Sequence, residues 1–185
     1  MNVYDFDGTV YRGDSTWDFY RFALRRSISL LRYLPAQLWG LLGYLLGSFD
    51  KTAFKERFFR FLRGINDVER EVSAFWQAHR CDIAPWYLSQ RQPDDLIISA
   101  SPEFLLAPIC RELGVRLIAS EVDTASGAFL SPNCRGEEKV LRYKKAFGTA
   151  EIGSFYTDSV SDLPMAQLAQ QAYIVKNGSP EVWKF

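Results

Sequence analysis

The sequence predicts an α/β fold, a parallel sheet of about five strands with a helical cap inserted after the first strand. Three observations carry this reading. Beyond residue 91, short apolar runs alternate with amphipathic stretches of helical spacing, the pattern of parallel strands joined by crossover helices. Between about residues 15 and 90 the spacing is helical throughout, and that block is too long for an ordinary loop. Several apolar runs end in small or acidic residues, and ligands of a parallel sheet bind at the carboxyl ends of its strands. Residues 1–14 and 91–185 are therefore read as the α/β core and 15–90 as a separate helical cap.

Taken in order, residues 2–6 are a short buried strand. From Ser15 to Gln90 the chain is rich in Leu, Phe, Trp and Arg; Gly47-Ser48 and Gly64 to Asp67 break it, and Asp50 and Asp67 have the residue type of helix N-caps. "DDLIISAS" is a buried strand. "PEFLLAPICREL" is an amphipathic helix, with Ser101 as N-cap, Pro102 at its first position and Gly114 closing it. "VRLIAS" is the next strand and "EVDTASGAFLS" a small hairpin about a Ser-Gly turn. "GEEKVLRYKKAF" reads as a helix, "IGSFYTDS" as a strand, "SDLPMAQLAQQ" as a helix and "AYIVKN" as the last strand.

The 185 residues suffice for one well-buried core, and the hydrophobic share of 48% excludes disorder. Lys plus Arg and Asp plus Glu are 22 each, so the broad basic excess of a nucleic-acid binder is missing and no nucleic-acid partner is expected. Three cysteines without CxxC spacing argue against a disulfide framework or a zinc site. A strand-like motif takes the place of a basic, apolar leader, so a cytoplasmic setting is expected. The single histidine, His79, leaves no material for a Ser-His-Asp triad and is read as structural. Cys110 and Arg116 have the C-x₅-R spacing of cysteine phosphatases, but that cysteine ends a helix instead of a strand, and the match is set aside.

The chemistry concentrates at the strand ends. "VYDFDGTV" places Asp5 and Asp7 one residue apart where a buried strand stops. Two unpartnered carboxylates there cost several kcal/mol (about 3–5), so a cation must accompany them. Ser99 to Ser101 end the second strand, Asp158 and Ser159 end a later one with Asp162 close behind, and Lys139 opens the intervening helix. An oxygen-rich set of this kind suits Mg²⁺.

In their order and inferred setting, "DFDGT", "SAS", "GEEK" and "DSVSD" resemble the four motifs of the haloacid dehalogenase-like (HAD) phosphatases, whose core is Rossmann-like. The helical insert resembles subfamily I, and the "SAS" and "GEEK" wording is nearest subfamily IB, with its phosphoserine phosphatase-like and phosphatidylglycerophosphatase-like enzymes. The resemblance implies a Mg²⁺-dependent phosphomonoester hydrolase working through an aspartyl-phosphate. Asp5 would be the nucleophile and Asp7 the general acid and then base. Ser99 and Lys139 would stabilise the transferring group. The phosphate would lie among Asp5, Gly8, Thr9, Ser99, Ala100 and Lys139, and the metal among Asp5, the Asp7 carbonyl, Asp158 and Asp162. A phosphotransferase would use the same residues. A non-catalytic, membrane-associated interaction protein on this scaffold is the rival of another class, and two intact acids at Asp5 and Asp7 count against it.

The cap is expected to choose the substrate, a phosphorylated small metabolite or a lipid phosphate. The cap has no convincing phosphoserine-binding set, although Arg12, Arg21 or Arg60 could clamp a substrate anion. From Tyr33 to Phe49 it carries no charge, between Arg25, Arg26 and Arg32 on one side and Lys51, Lys55 and Arg57 on the other. Three readings stand for this segment. It is a helix packed on its neighbours or on a homodimer mate, a peripheral element at a membrane surface, or a membrane span.

Overall fold

The computed structural model describes residues 1–185. Its sheet has six strands: β1 (Val3–Tyr4), β2 (Leu96–Pro102), β3 (Arg116–Ser120), β4 (Ile152–Thr157), β5 (Ala169–Lys176) and β6 (Ser179–Val182). Their spatial order is β3-β2-β1-β4-β5-β6. All neighbouring strands are parallel except β5 and β6. The α/β class therefore holds, with one strand more than expected. The extra strand follows Asn177-Gly178, both with positive φ, and this dipeptide is the preferred two-residue turn between antiparallel strands.

Side-chain alternation covers both faces of the sheet. Tyr4, Ile97 and Tyr156 point into one apolar cluster; Val3, Leu96, Ile98 and Phe155 point into the other. Tyr4, Tyr156 and Tyr173 stack in a ladder across β1, β4 and β5, each pair of rings 4.7 Å apart. Helices α7 (Glu137–Phe147) and α8 (Leu163–Ala166) cover the second cluster. The first is covered by α6 (Glu103–Leu113) together with residues of the helical insert.

That insert comprises α1 (Ser15–Arg26), α2 (Leu34–Leu45), α3 (Lys51–Phe59), α4 (Val68–His79) and α5 (Pro85–Gln90), with a short 3₁₀ segment in every link except that between α2 and α3. Asp50 and Asp67 cap α3 and α4 by accepting the Ala53 and Arg70 amides. Phe19, Phe61, Phe75 and Trp76 of the insert belong to the same cluster as Tyr4, Ile97 and Leu105, so insert and sheet share one apolar core. Trp76 Nε1 donates to the Leu105 carbonyl at 2.6 Å and ties α4 to α6.

Four local expectations are corrected. The first strand is two residues long, because the chain turns at Phe6, directly after Asp5. Residues 121–131 make one antiparallel bridge, Val122 with Phe129, in place of a full hairpin. The helix expected over "SDLPMAQLAQQ" is only four residues long, since Ala169 to Gln171 join β5, where they pair with β4. Pro102, not Ser101, occupies the N-cap position of α6, which has no side-chain cap bond, and the Ser101 hydroxyl is engaged elsewhere. His79 is structural: its ring lies on Phe75 and its Nδ1 is 3.0 Å from Asp82. Cys110 is buried within α6, which pushes its thiol up to about 12, so it is no thiolate nucleophile.

Candidate active site

In this sheet the chain leaves β1 for β2 and β3 on one side, then returns to β4 on the other. The strand order thus reverses at β1 and β4, and the crevice beyond their carboxyl ends is the ligand-binding position of such sheets. Asp5 follows β1 there and Asp158 follows β4.

The Asp5 amide donates to the Tyr156 carbonyl at 2.8 Å, which keeps Asp5 in line with β4. Its Oδ1 accepts the Phe6 amide at 2.8 Å and lies 3.0 Å from Lys139 Nζ, so Oδ2 is left without a hydrogen-bond partner. Burial lifts the Asp5 carboxyl above the usual range, the Lys139 ammonium opposes this, and the Asp162 carboxylate adds to it.

Lys139 lies in the first turn of α7 and is 1% exposed. Besides Asp5 it meets Asp162 Oδ2 at 2.6 Å, and Thr157 Oγ1 donates to that oxygen at 3.0 Å. Burial works against the ammonium, but the two carboxylates outweigh it and hold its pKa above the ordinary lysine value. Asp162 is thereby committed to positioning Lys139.

Asp7 is held differently. Its Oδ1 accepts the Ser15 amide at the start of α1 at 2.7 Å, and its Oδ2 accepts the Ser101 hydroxyl at 2.5 Å. Burial pushes its pKa up to about 6, with Asp14 reinforcing the shift and the Ser101 and Ser15 hydrogen bonds opposing it. Ser99 Oγ accepts the Ser101 amide at 3.0 Å and keeps its own O–H free to donate. Gly8 is required between the strands. Its φ is +68°, and a Cβ there would lie 2.1 Å from Asp158 Oδ2.

These groups open onto one cavity of about 500 Å³. Asp5, Asp7, Asp14, Ser99, Ala100, Ser101, Lys139, Asp158 and Asp162 are among its polar lining. Trp17, Tyr20, Leu34, Leu38, Leu41, Phe54 and Phe58, all from the helical insert, give it an apolar wall, to which the insert adds Gln37, Lys51 and Lys55. The predicted residues Asp5, Asp7, Ser99, Ala100, Lys139, Asp158 and Asp162 are thus brought together. Gly8 and Thr9 do not line the cavity, and their amides are taken by the Gly13 and Phe6 carbonyls, while the buried Thr9 hydroxyl has no partner. Arg12, Arg21 and Arg60 do not line it either.

The expected metal ligands differ in how many of their oxygens the protein already engages. No three acidic, thiol or imidazole side chains gather into a cage. Both Asp7 side-chain oxygens and Asp162 Oδ2 are engaged by the protein, which leaves the Asp5 carboxylate, the Asp7 carbonyl, Asp162 Oδ1 and Asp158, against the Gly8 backbone, as the oxygen donors. Mg²⁺ takes one or two carboxylates and fills its remaining positions with water and substrate oxygens, so this donor set fits it.

Three contributors escaped the sequence reading. Ser101 looked like a helix cap, and Asp14 was not considered; it caps α1 by accepting the Trp17 amide. Lys55 was read as one of the charges flanking an apolar segment. From α3 it reaches across the cavity and donates to the Ala100 carbonyl at 2.8 Å and to Asn133 Oδ1 at 3.2 Å. Burial lowers its ammonium below the ordinary lysine range, against the pull of Asp7, Asp14 and Asp5. No local signal distinguishes it from Lys51.

A sequence profile for haloacid dehalogenase-like hydrolases matches residues 3–167. Protein CicA of Caulobacter vibrioides is 30% identical, over 96% of this chain and 87% of its own. Among solved structures, a protein with unknown function from Bordetella pertussis Tohama I superposes with a TM-score of 0.74 at 20% identity, covering 93% of this chain and 87% of that one. A phosphoserine phosphohydrolase-like protein from Francisella tularensis does so with a TM-score of 0.56 at 14% identity, covering 93% and 86%. At these identities the structural likenesses establish the fold alone.

Proposed function

Because the chain belongs to the haloacid dehalogenase-like hydrolases, we propose that it is a Mg²⁺-dependent phosphomonoester hydrolase working through Asp5. We assign it to the subfamily IB branch on its motif wording, with residues 15–90 acting as the cap that selects substrate. The observation that carries the reading is the unequal holding of two acids in one cavity. Asp5 keeps one oxygen on Lys139 and the other free, whereas both Asp7 oxygens are hydrogen-bonded.

In the first step Asp5 Oδ2 attacks phosphorus, the bond from phosphorus to the leaving oxygen breaks, and Asp7 delivers its proton to that oxygen. In the second, Asp7 takes a proton from water, whose oxygen displaces Asp5 and releases inorganic phosphate. Lys139 offsets charge at Asp5 throughout, and the Ser99 O–H is available to a phosphoryl oxygen. Mg²⁺ held by Asp158 and the Asp7 carbonyl, beside Asp5, would offset the negative charge shared by carboxylate and phosphate. The apolar side chains that the insert adds to the cavity suit a leaving group with a hydrocarbon portion, so we propose a lipid phosphate as the substrate class.

The test is phosphate release from p-nitrophenyl phosphate, a short-chain phosphatidate and phosphoserine. With Mg²⁺ present, phosphatidate is expected to exceed phosphoserine in kcat/KM by at least about tenfold. Chelating the metal should lower turnover at least about a hundredfold. No release from any of the three overturns the reading.

The pH profile probes Asp7. As the acid it must carry a proton, so kcat/KM should fall as pH rises above about 6. The Ser101 hydrogen bond favours the ionised carboxylate, and removing it raises the pKa. Ser101→Ala is therefore expected to move the falling limb upward by about one pH unit. The substrate's own ionisation is common to both enzymes and cancels. An unmoved limb means that another group supplies the proton.

A further inference from the structure

Helix α2 is packed the reverse of an ordinary surface helix. Its buried residues are Gln37, Gly40 and Gly43. Gly40 rests on the Arg57 stem and Gly43 on the Phe49 ring, contacts that a Cβ at either position would obstruct. With the small residues turned inward, the large apolar side chains point out: Trp39 is 63% exposed, Leu42 49%, and Leu45 and Leu46 71% each. Ile28 and Leu31, just before the helix, extend the patch. An exposed apolar face of this extent marks an interaction surface.

Its charge frame indicates what covers it. Between Asp18 and Asp50 the chain has no acidic residue, and its only charges there are Arg21, Arg25, Arg26 and Arg32. Arg21 and Arg26 pair with Asp18 and Glu71, while Arg25 and Arg32 are exposed and form no ion pair. A two-fold dimer through this face would bring an acid-free, arginine-framed patch against its own copy and so set like charges together. An anionic surface complements it instead. No helix is long and apolar enough to cross a membrane, which removes the spanning reading and leaves a helix lying in the interface plane. Trp39 and Tyr44 are of the side-chain type that settles at that depth.

We propose that the outward face of α2, with Arg25 and Arg32 beside it, seats the protein on an anionic lipid bilayer. Leu34, Leu38 and Leu41 of the same helix line the catalytic cavity, so seating brings the cavity to the lipid. The inference extends the proposed function but does not rest on turnover.

The experiment is co-sedimentation with vesicles of phosphatidylcholine alone or mixed with phosphatidylglycerol, with light scattering for oligomeric state and circular dichroism as the folding control. The protein is expected to prefer the anionic vesicles by at least about tenfold and to lose that preference as salt screens it. Trp39→Glu/Leu42→Glu/Leu46→Glu, at positions outside the cavity, should weaken binding about a hundredfold while keeping the helical spectrum. Arg25→Glu/Arg32→Glu should remove the preference for anionic lipid. Absence of vesicle binding by the parent, or equal binding by the triple variant, overturns the proposal. A parent dimer that the triple variant makes monomeric, without vesicle binding, assigns the face to a second copy and overturns it as well.

Discussion

Asp5→Asn is expected to lower kcat on p-nitrophenyl phosphate by about 10⁴-fold or more while leaving the melting curve close to that of the parent. The amide has nearly the same shape, and its carbonyl oxygen can still accept the Phe6 amide and the Lys139 ammonium. The NH₂ then occupies the position of Oδ2, the oxygen without a partner. An amide there has no anionic lone pair to offer phosphorus, and no neighbouring residue replaces it: Asp7 is held by Ser15 and Ser101. Acid-quenched parent protein should carry a phosphoryl group on the peptide containing Asp5, and the variant should carry none. Full turnover by the variant would remove Asp5 from the chemistry and leave Asp7 without a reason for its position.

The second large effect is expected at Lys139. It is the ammonium between two buried carboxylates, 3.0 Å from Asp5 and 2.6 Å from Asp162. Methionine fills nearly the same volume without charge, so Lys139→Met isolates the electrostatic loss. Removing one member of a buried charge set while leaving the others costs about 3–5 kcal/mol, with no discount for solvent screening because the group is fully buried. For a domain of this size that lowers Tm by about 10 °C, and turnover falls with it.

The deficit should depend on pH in a definite direction. Without the ammonium, Asp5 and Asp162 face each other as like charges, and the folded state raises the Asp5 carboxyl still further above its unfolded value. A raised carboxyl stabilises the folded protein while protonated and loses that contribution as pH rises through the folded pKa. The Tm deficit of Lys139→Met is therefore expected to narrow when the pH is lowered from about 7 to about 5. Adding Asp162→Asn should recover part of the stability at neutral pH and none of the turnover. A melting temperature equal to the parent's at every pH would mean that the carboxylates are solvated and the ion triad contributes nothing.

The parts that were legible in the sequence are those whose cause is local. Asp5 and Asp158 could be assigned to the crevice because each follows a strand-like run, and a parallel strand delivers the residue after it to the same edge. Asp50 and Asp67 could be assigned as caps because the cap bonds close within three residues. The Asn177-Gly178 turn was also local and was passed over, and with it β6.

Competition decided the remainder. Ser101 is equally good as a helix cap or as a donor to Asp7, and the carboxylate takes it because a hydrogen bond to a buried charge is the stronger one. Ala169 to Gln171 suit a helix, but the β4 edge supplies partners for their backbone and draws them into β5.

What the sequence by itself determined is the class of the sheet and the order of the acids, serine and lysine at its strand ends, since strand direction and side-chain period place them without reference to the rest of the chain. Only the tertiary structure decided that Lys55 reaches the cavity while Asp162 serves Lys139, and that α2 turns its glycines inward and its leucines outward. Those outcomes depend on contacts between segments far apart in the chain, where close packing against α3 and the pairing of buried charges outweigh what any short stretch prefers.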